Sequence, residues 1–259
     1  MGKIDPFLVK AVYFFLLSPS ARLARYLLVG RAMIFTTAEL VKPARDVAYW
    51  SVARFDLLAW VGYSFIFFPL AGALSQFLPG YHLLPAALLA LPYWLRIAIF
   101  FLVADFGHYW IHWLLHTRYF WAAHKWHHSP TYLYWLAGVR STLPQQFLFN
   151  IPSVLLISLL QGSSNATLIW FGIIAALSND WMHMNVTWRS RWLEMFFVTP
   201  RYHQIHHSDD RKYSGKNMGV KFTLWDRLFG TYVDPESVHE KLTFGIGEKE
   251  NPVRVVLGV

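Results

Sequence analysis

Residues 93–128 read YWLRIAIFFLVADFGHYWIHWLLHTRYFWAAHKWHH, and the reading of this stretch decides the architecture. Its first part is apolar for long enough to cross a hydrocarbon core of about 30 Å as a helix that begins near Tyr93 and continues past Asp105 to His116. Its second part is polar, so the helix delivers imidazoles at one of its ends. On a helix, positions i, i+3 and i+4 share a face. His112-x-x-x-His116 and His124-x-x-His127-His128 therefore each aim two or three imidazoles at one point, and a third box, His203-x-x-His206-His207, repeats the pattern.

A lone histidine is most often a surface or hydrogen-bonded core residue. Eight together do not fit that account. Protonated, they would repel one another; neutral and unliganded, they would leave buried nitrogens without partners. Metal ions remove both problems by accepting the lone pairs. Eight imidazoles are too many for one ion with open positions, so two metals is the simplest count. The chain has no cysteine, which excludes disulfides, thiolate-bound zinc and cysteine-held iron–sulfur clusters and leaves nitrogen and oxygen as ligands.

Of the twelve histidines, four stand outside the boxes. His183 follows the apolar run that ends at Leu177 and emerges near the boxes, so it is expected as a ninth ligand. His108 lies one turn before His112, but four residues drift by about 40°, which suits an orienting role as well as ligation. His82 and His239 read as structural. Asp105 and Asp180 each precede a histidine by three residues, His108 and His183, and suit carboxylates that orient an imidazole through its second ring nitrogen; a helix-end charge near water is an equally ordinary reading.

The whole composition agrees with a membrane setting. Of 259 residues 55% are hydrophobic and only 15% charged, with positive mean hydropathy, too apolar for an ordinary soluble domain. The net charge of +8 points to anionic lipid headgroups, since no motif supports nucleic acid. Leu57 to Leu78 is a 22-residue run without a charge and should span. Phe147 to Leu160 and Ala166 to Leu177, separated by a polar turn at Gln161–Asn165, read as a helical hairpin, spanning or re-entrant. The expected fold is all-α, an integral membrane helical bundle of about four membrane helices or two helical hairpins under a histidine-rich cap. Its parts are an interfacial or amphipathic N-terminal region at 1–54, which includes the short run Phe7–Leu17, a catalytic domain at 55–233, and a C-terminal tail at 234–259. A signal peptide is not expected.

Positive charge gives the sidedness. Eight Lys and Arg precede Leu57 and eleven follow Asn185, whereas the turns at 79–82 and 161–165 carry none. Both termini and the histidine boxes are thus expected on the cytoplasmic side, of a bacterial inner membrane or the endoplasmic reticulum. Arg96 is the exception, either snorkelling at the outer interface or paired inside the bundle.

These boxes, with Asp105, Tyr109-Trp110, His-His-Ser at 127–129 and 206–208, Thr199-Pro200 and the run Trp225 to Tyr232, resemble the fatty acid hydroxylase/sterol desaturase superfamily over about Leu95 to Val233. The resemblance implies a di-iron centre held by His112, His116, His124, His127, His128, His203, His206 and His207. His183, followed by Met184-Asn185, looks like the family's intermediate His-x-Asn element. Trp113 stands where many members have Arg, and Thr187 where some carry a further ligand, which leaves nine or ten ligands open.

The implied activity is O2-dependent oxidation of a fatty acyl, sterol or isoprenoid lipid, with hydroxylation favoured over desaturation or ether cleavage. Two iron ions are the expected cofactors, with zinc possible in purified protein. Electrons must come from outside, because no Gly-x-Gly-x-x-Gly loop, haem extension or cysteine cluster is present; a ferredoxin, cytochrome or reductase is implied. The alternatives are a zinc-dependent membrane hydrolase and a non-enzymatic metal- or haem-binding membrane protein. Against the hydrolase, there is no His-Glu-x-x-His, and Glu194 is the only glutamate between His108 and His207.

Overall fold

A computed structural model of the chain describes residues 19–46, 48–62, 84–163 and 165–247. Most of the run Leu57–Leu78 and all of Phe7–Leu17 and His82 lie outside them. Among the described residues the fold is helical, and the pairing between extended segments is limited to isolated bridges. The helices are α1 (Pro19–Val41), α2 (Tyr49–Gly62), α3 (Ala86–Leu89), α4 (Tyr93–Leu115), α5 (Trp121–His128), α6 (Leu143–Leu155), α7 (Asn165–His183), α8 (Arg191–Phe196), α9 (Pro200–His206) and α10 (Leu224–Phe229).

Helix α4 is the described helix with the length and hydropathy to cross a membrane. It starts at Pro92, whose fixed φ suits a helix entry. It ends at His116, the last histidine of its own box.

Both arms expected of a helical hairpin are helical, but the first is short and packs chiefly on α4. Helix α6 has 13 residues, about 20 Å, less than a bilayer core. Thr142 starts it by accepting from the amide of Gln145, and Pro152 removes a backbone donor near its end. A 3-10 turn, Ile157–Leu160, follows. At Gly107 α4 and α6 approach closely: a Cβ there would lie 2.6 Å from Cβ of Pro152. Arg96 finds its place at this end, with Nη1 donating to the carbonyls of Leu159 (3.2 Å) and Gln161 (3.1 Å). Those carbonyls belong to the turn, so the arginine serves as its cap inside the hairpin.

The main core lies at the other end of α4, beneath the histidines. Phe35 of α1, Leu133 to Ala137, Met184, Val186, Ile205 and Tyr213 pack there with Leu242 and Phe244 of the tail. Three buried carboxylates fasten this core. Glu39 of α1 accepts from the amides of Trp135 and Asn185, both at 2.7 Å. Asp56 of α2 pairs with Arg140 and accepts from the hydroxyl of Tyr134. Asp180 of α7 is held by both Nε and Nη2 of Arg31 at 2.6 Å. Each is fully buried with paired donors, the condition under which a buried charge is tolerated.

Candidate metal centre

The boxes converge on two adjacent clusters of imidazoles. His112, His116, His124, His128 and His206 form the first; His127, His183, His203 and His207 form the second. Within each, the nearest ring nitrogens all lie within 4.8 Å of one another. Neither cluster corresponds to one sequence box. Each i, i+4 pair stays together (His112 with His116, His124 with His128, His203 with His207), while the i+3 residues His127 and His206 cross to the other cluster.

The distances inside the clusters are those that ligands of one shared ion would have. Nε2 of His124 stands 3.2 Å from Nε2 of both His112 and His128. In the second cluster Nε2 of His183 is 3.4 Å from that of His127 and 3.1 Å from that of His203, which is 3.0 Å from that of His207. Nitrogens about 2.1 Å from a shared ion and roughly 90–110° apart would be about 3.0–3.4 Å from each other.

The outer ring nitrogens decide which lone pairs face inward. Nδ1 of His112 meets the carbonyl of Met218 at 2.7 Å, His127 that of Arg140 at 3.0 Å, His183 that of Asn179 at 2.7 Å and His206 that of Lys216 at 2.9 Å. His124 uses a side chain instead, the Oε1 of Gln145 at 3.0 Å. A carbonyl only accepts, so each of these rings carries its proton on Nδ1 and turns a bare Nε2 inward. Nε2 of His116 and of His206 is buried with no hydrogen-bond partner. Burial, and after it the neighbouring imidazoles, push His116, His124, His128, His203, His206 and His207 well below the ordinary histidine value. Burial brings His127 down to about 4. Neutral, converging, unsatisfied nitrogens are a site that a pair of metal ions fits.

The remaining sequence candidates lie outside the clusters. Asp105 accepts from the amides of Lys221 and Phe222 and from Nε1 of Trp225, at 3.0–3.1 Å, and so pins the 221–225 segment to α4. Asp180 pairs with Arg31, and His183 is oriented by its own helix through Asn179. The expectation that these carboxylates orient His108 and His183 is therefore corrected. Residues three apart on a helix point about 60° apart, enough to send the carboxylate to a different neighbour from the imidazole. His108 stands with Nε2 3.4 Å from Oγ of Ser153 and its ring 6.0 Å from that of Phe149. Asn185 binds the backbone of Arg45 through both its side-chain amide groups. His239 is exposed on the tail.

The sequence assigned no role to several positioning residues, although Asp226 and Thr231 lie in the run Trp225 to Tyr232 that carries the resemblance. Asp226 accepts from the amides of Met218 (2.7 Å) and Gly219 (2.6 Å), from Oγ1 of Thr231 (2.6 Å) and from the hydroxyl of Tyr202. It thereby fixes the loop whose carbonyls orient His112 and His206. Gly138 leaves room for His183: a Cβ there would be 2.4 Å from its Nδ1. A cleft of about 470 Å³ opens over His116, His128, His206 and His207, walled by Trp121, Lys125 and the tail glycines Gly245 and Gly247.

A family model described as fatty acid hydroxylase matches residues 97–231, just over half of the chain and every histidine of both clusters. The chain belongs to the fatty acid hydroxylase family. Among curated proteins it is 34% identical over 150 residues to alkylglycerol monooxygenase of Danio rerio, a match covering 56% of this chain and 32% of that protein. To the human alkylglycerol monooxygenase it is 31% identical over 162 residues, 60% of this chain and 34% of the relative. To the ornithine lipid hydroxylase OlsE of Rhizobium tropici it is 32% identical over 145 residues, 54% and 42% respectively. The matched segment is thus about a third to two fifths of these relatives' own length. No solved structure matches the chain.

Proposed function

We propose that this protein is a membrane-bound, O2-dependent di-iron lipid oxidase that hydroxylates a polar lipid. The observation that carries the reading is the pair of all-imidazole clusters, five and four strong, in which His112, His124, His127, His183 and His206 turn their Nδ1 protons outward. The family and the names of the relatives, an alkylglycerol monooxygenase and an ornithine lipid hydroxylase, support a lipid substrate.

His112, His116, His124, His128 and His206 would hold one iron, and His127, His183, His203 and His207 the other. Iron bound there would supply the activation of O2 needed to attack an unactivated C–H bond. The protein's own residues do the rest. The carbonyls of Met218, Arg140, Asn179 and Lys216, with Gln145, lock the tautomers of five rings, His112, His127, His183, His206 and His124, before metal arrives. Burial of eight of the nine histidines limits water around the ligands, with His116 partly exposed at the cleft. The cleft over His116 and His207 supports an approach for small molecules and for an external electron donor, such as a ferredoxin, cytochrome or reductase, from the polar side.

Zinc hydrolysis is disfavoured by the surroundings of Glu194, which is engaged by Arg201 and Thr199 outside the clusters and cannot serve as a base there. Five and four imidazoles also exceed the three protein ligands of a catalytic zinc site. For the bundle we propose that the Leu57–Leu78 run and the Phe147–Leu177 hairpin join α4 in the membrane, under a cytoplasmic catalytic cap, within a catalytic region at 55–233. The membrane would be a bacterial inner membrane or the endoplasmic reticulum.

The test is elemental analysis with turnover under labelled O2. Purified protein should hold about two irons per chain and give labelled hydroxylated lipid. His127→Ala should lower iron and abolish turnover, whereas His239→Ala should do neither. Lipid turnover that continues without oxygen would instead mark a hydrolase.

A further inference from the structure

Helices α8 and α10 have six residues each, about 9 Å of helix, and neither shields its outer face. Their inner sides are buried through Glu194, Trp225 and Asp226. Outward they expose Trp192, Met195, Phe196, Leu224, Leu228 and Phe229, with Trp192 at 66% and Leu228 at 63% of full exposure. The two helices are joined into one surface: Thr223 at the start of α10 donates from its amide to the carbonyl of Phe196 (3.1 Å) and from Oγ1 to that of Met195 (2.9 Å). A patch of this kind on a folded surface marks a binding face.

We propose that this α8/α10 face is a monotopic membrane anchor, inserted into the boundary between headgroups and acyl chains. Two observations choose lipid as the occupant. The first is continuity with α4, whose Phe106 and Trp110 rings meet Phe229 at 6.3 and 4.9 Å, so the patch extends the outward face of the helix suited to cross the bilayer. The second is charge. Arg191 is exposed and has no carboxylate partner among the described residues, and Arg189, also exposed, reaches Glu236 only at 4.0 Å. On a chain of net charge +8, a second copy would bring arginines against arginines, whereas anionic headgroups complement them. Tryptophan and arginine beside aliphatic side chains are the composition of an interfacial surface. The anchor has a consequence for the metal centre. Trp110 touches the patch, and His112 lies two residues further along α4, about 3 Å of rise. The first cluster is thereby held close to headgroup depth.

This proposal rests on the reading that α4 crosses the bilayer, and the experiment separates the two. The chain has no cysteine, so single cysteines can be placed at Leu102 on the exposed side of α4, at Trp192 and Leu228 on the patch, and at Ser237 on the tail. Each full-length variant is first shown to hold the parent's iron, with Phe196→Cys as a substitute patch site if one does not. An environment-sensitive fluorophore on each is then measured in vesicles of mixed neutral and anionic phospholipid carrying nitroxide quenchers at known depths. The expected result is strongest quenching of 102 by the deep nitroxide, several-fold stronger quenching of 192 and 228 by the shallow nitroxide than of 237, and water-like emission at 237. Patch labels with water-like emission and no lipid quenching, beside a quenched 102, overturn the anchor and leave the crossing helix standing. Apolar emission at 192 and 228 without lipid quenching overturns it in favour of a second copy. If 102 is not quenched while 192 and 228 are, the anchor holds and the crossing reading fails.

Discussion

Replacing Gln145 with leucine is the sharpest test of how the first cluster is built. Gln145 is buried, and its Oε1 accepts the Nδ1 proton of His124 at 3.0 Å. Leucine has nearly the same volume, so packing should survive. His124 would then keep a buried N–H with no acceptor, at a cost of about 1–3 kcal/mol, or move its proton to Nε2. That nitrogen faces Nε2 of His112 and His128, where the metal belongs. Either route penalises the ion rather than the fold. Loss of such an orienting partner typically weakens metal binding about 10–100-fold, or about 1.4–2.8 kcal/mol at about 1.4 kcal/mol per decade. The assay is Fe(II) or Co(II) titration of metal-free protein in detergent. Gln145→Leu should bind one equivalent as the parent does and one about 10–100-fold more weakly. Gln145→Glu, which retains an acceptor, should hold two equivalents. Unchanged binding of both equivalents by Gln145→Leu, or equal weakening of the two, would refute the assignment of Gln145 to the first cluster.

Other substitutions divide between the clusters in the same assay. Gly138→Ala puts a Cβ 2.4 Å from Nδ1 of His183 and should weaken the second equivalent while sparing the first. Asp226→Ala removes an acceptor shared by two amides and two hydroxyls; it should lower the thermal midpoint by several degrees, consistent with a loss of about 2–4 kcal/mol, and release metal from the cluster of His112 and His206 first. His206→Ala should weaken the cluster of His112, and His203→Ala that of His183, although both residues belong to one sequence box; equal effects of the two on the same equivalent would contradict the crossing. Metal-free protein should be acid-sensitive. Its imidazoles are held neutral in the fold, His127 down to about 4, whereas unfolded histidines titrate near 6.5. The unfolded state therefore binds more protons below about 6.5, so the thermal midpoint should fall as pH drops from about 7 towards about 4.

Helix α4 was legible because the apolar run from Tyr93 is long and its polar residues gather at one end. The shape of the hairpin was not. Phe147–Leu160 has the composition of a membrane segment, but Pro152 packs on Gly107 and the chain turns tightly at Ile157–Leu160, a contact between residues far apart in sequence. Asp105 and Asp180 misled for a related reason. The i to i+3 spacing from each carboxylate to a histidine is real, yet both were claimed by partners from elsewhere in the chain, the 221–225 segment and Arg31. A buried carboxylate goes to whichever donors desolvation leaves it, and local spacing does not reveal those.

The histidine spacing foretold which side chains would gather, but not how they would divide. Along a helix, residues four apart differ in direction by about 40°, residues three apart by about 60° the other way, and neighbours by about 100°. In a box of the form i, i+3, i+4, the outer pair can therefore serve one ion while the i+3 residue swings about 100° from the last histidine toward a second. His124 and His128 serve the first cluster and His127 the second; His203 and His207 serve the second and His206 the first. Two such helices facing each other lend one imidazole apiece across the gap, and each of these two boxes then contributes to both clusters. What fixes the crossing is carried by groups without sequence identity. The acceptor for His127 is the carbonyl of Arg140, and that for His206 is the carbonyl of Lys216. Any residue type offers a backbone carbonyl, so what marks these positions is what aims them. Arg140 is pinned by the buried Asp56, and the loop after Lys216 is held by Asp226. The side chains that gather into the two clusters announce themselves by type and spacing, whereas the groups that orient them are recognisable only once the folded chain brings those buried carboxylates beneath the carbonyls.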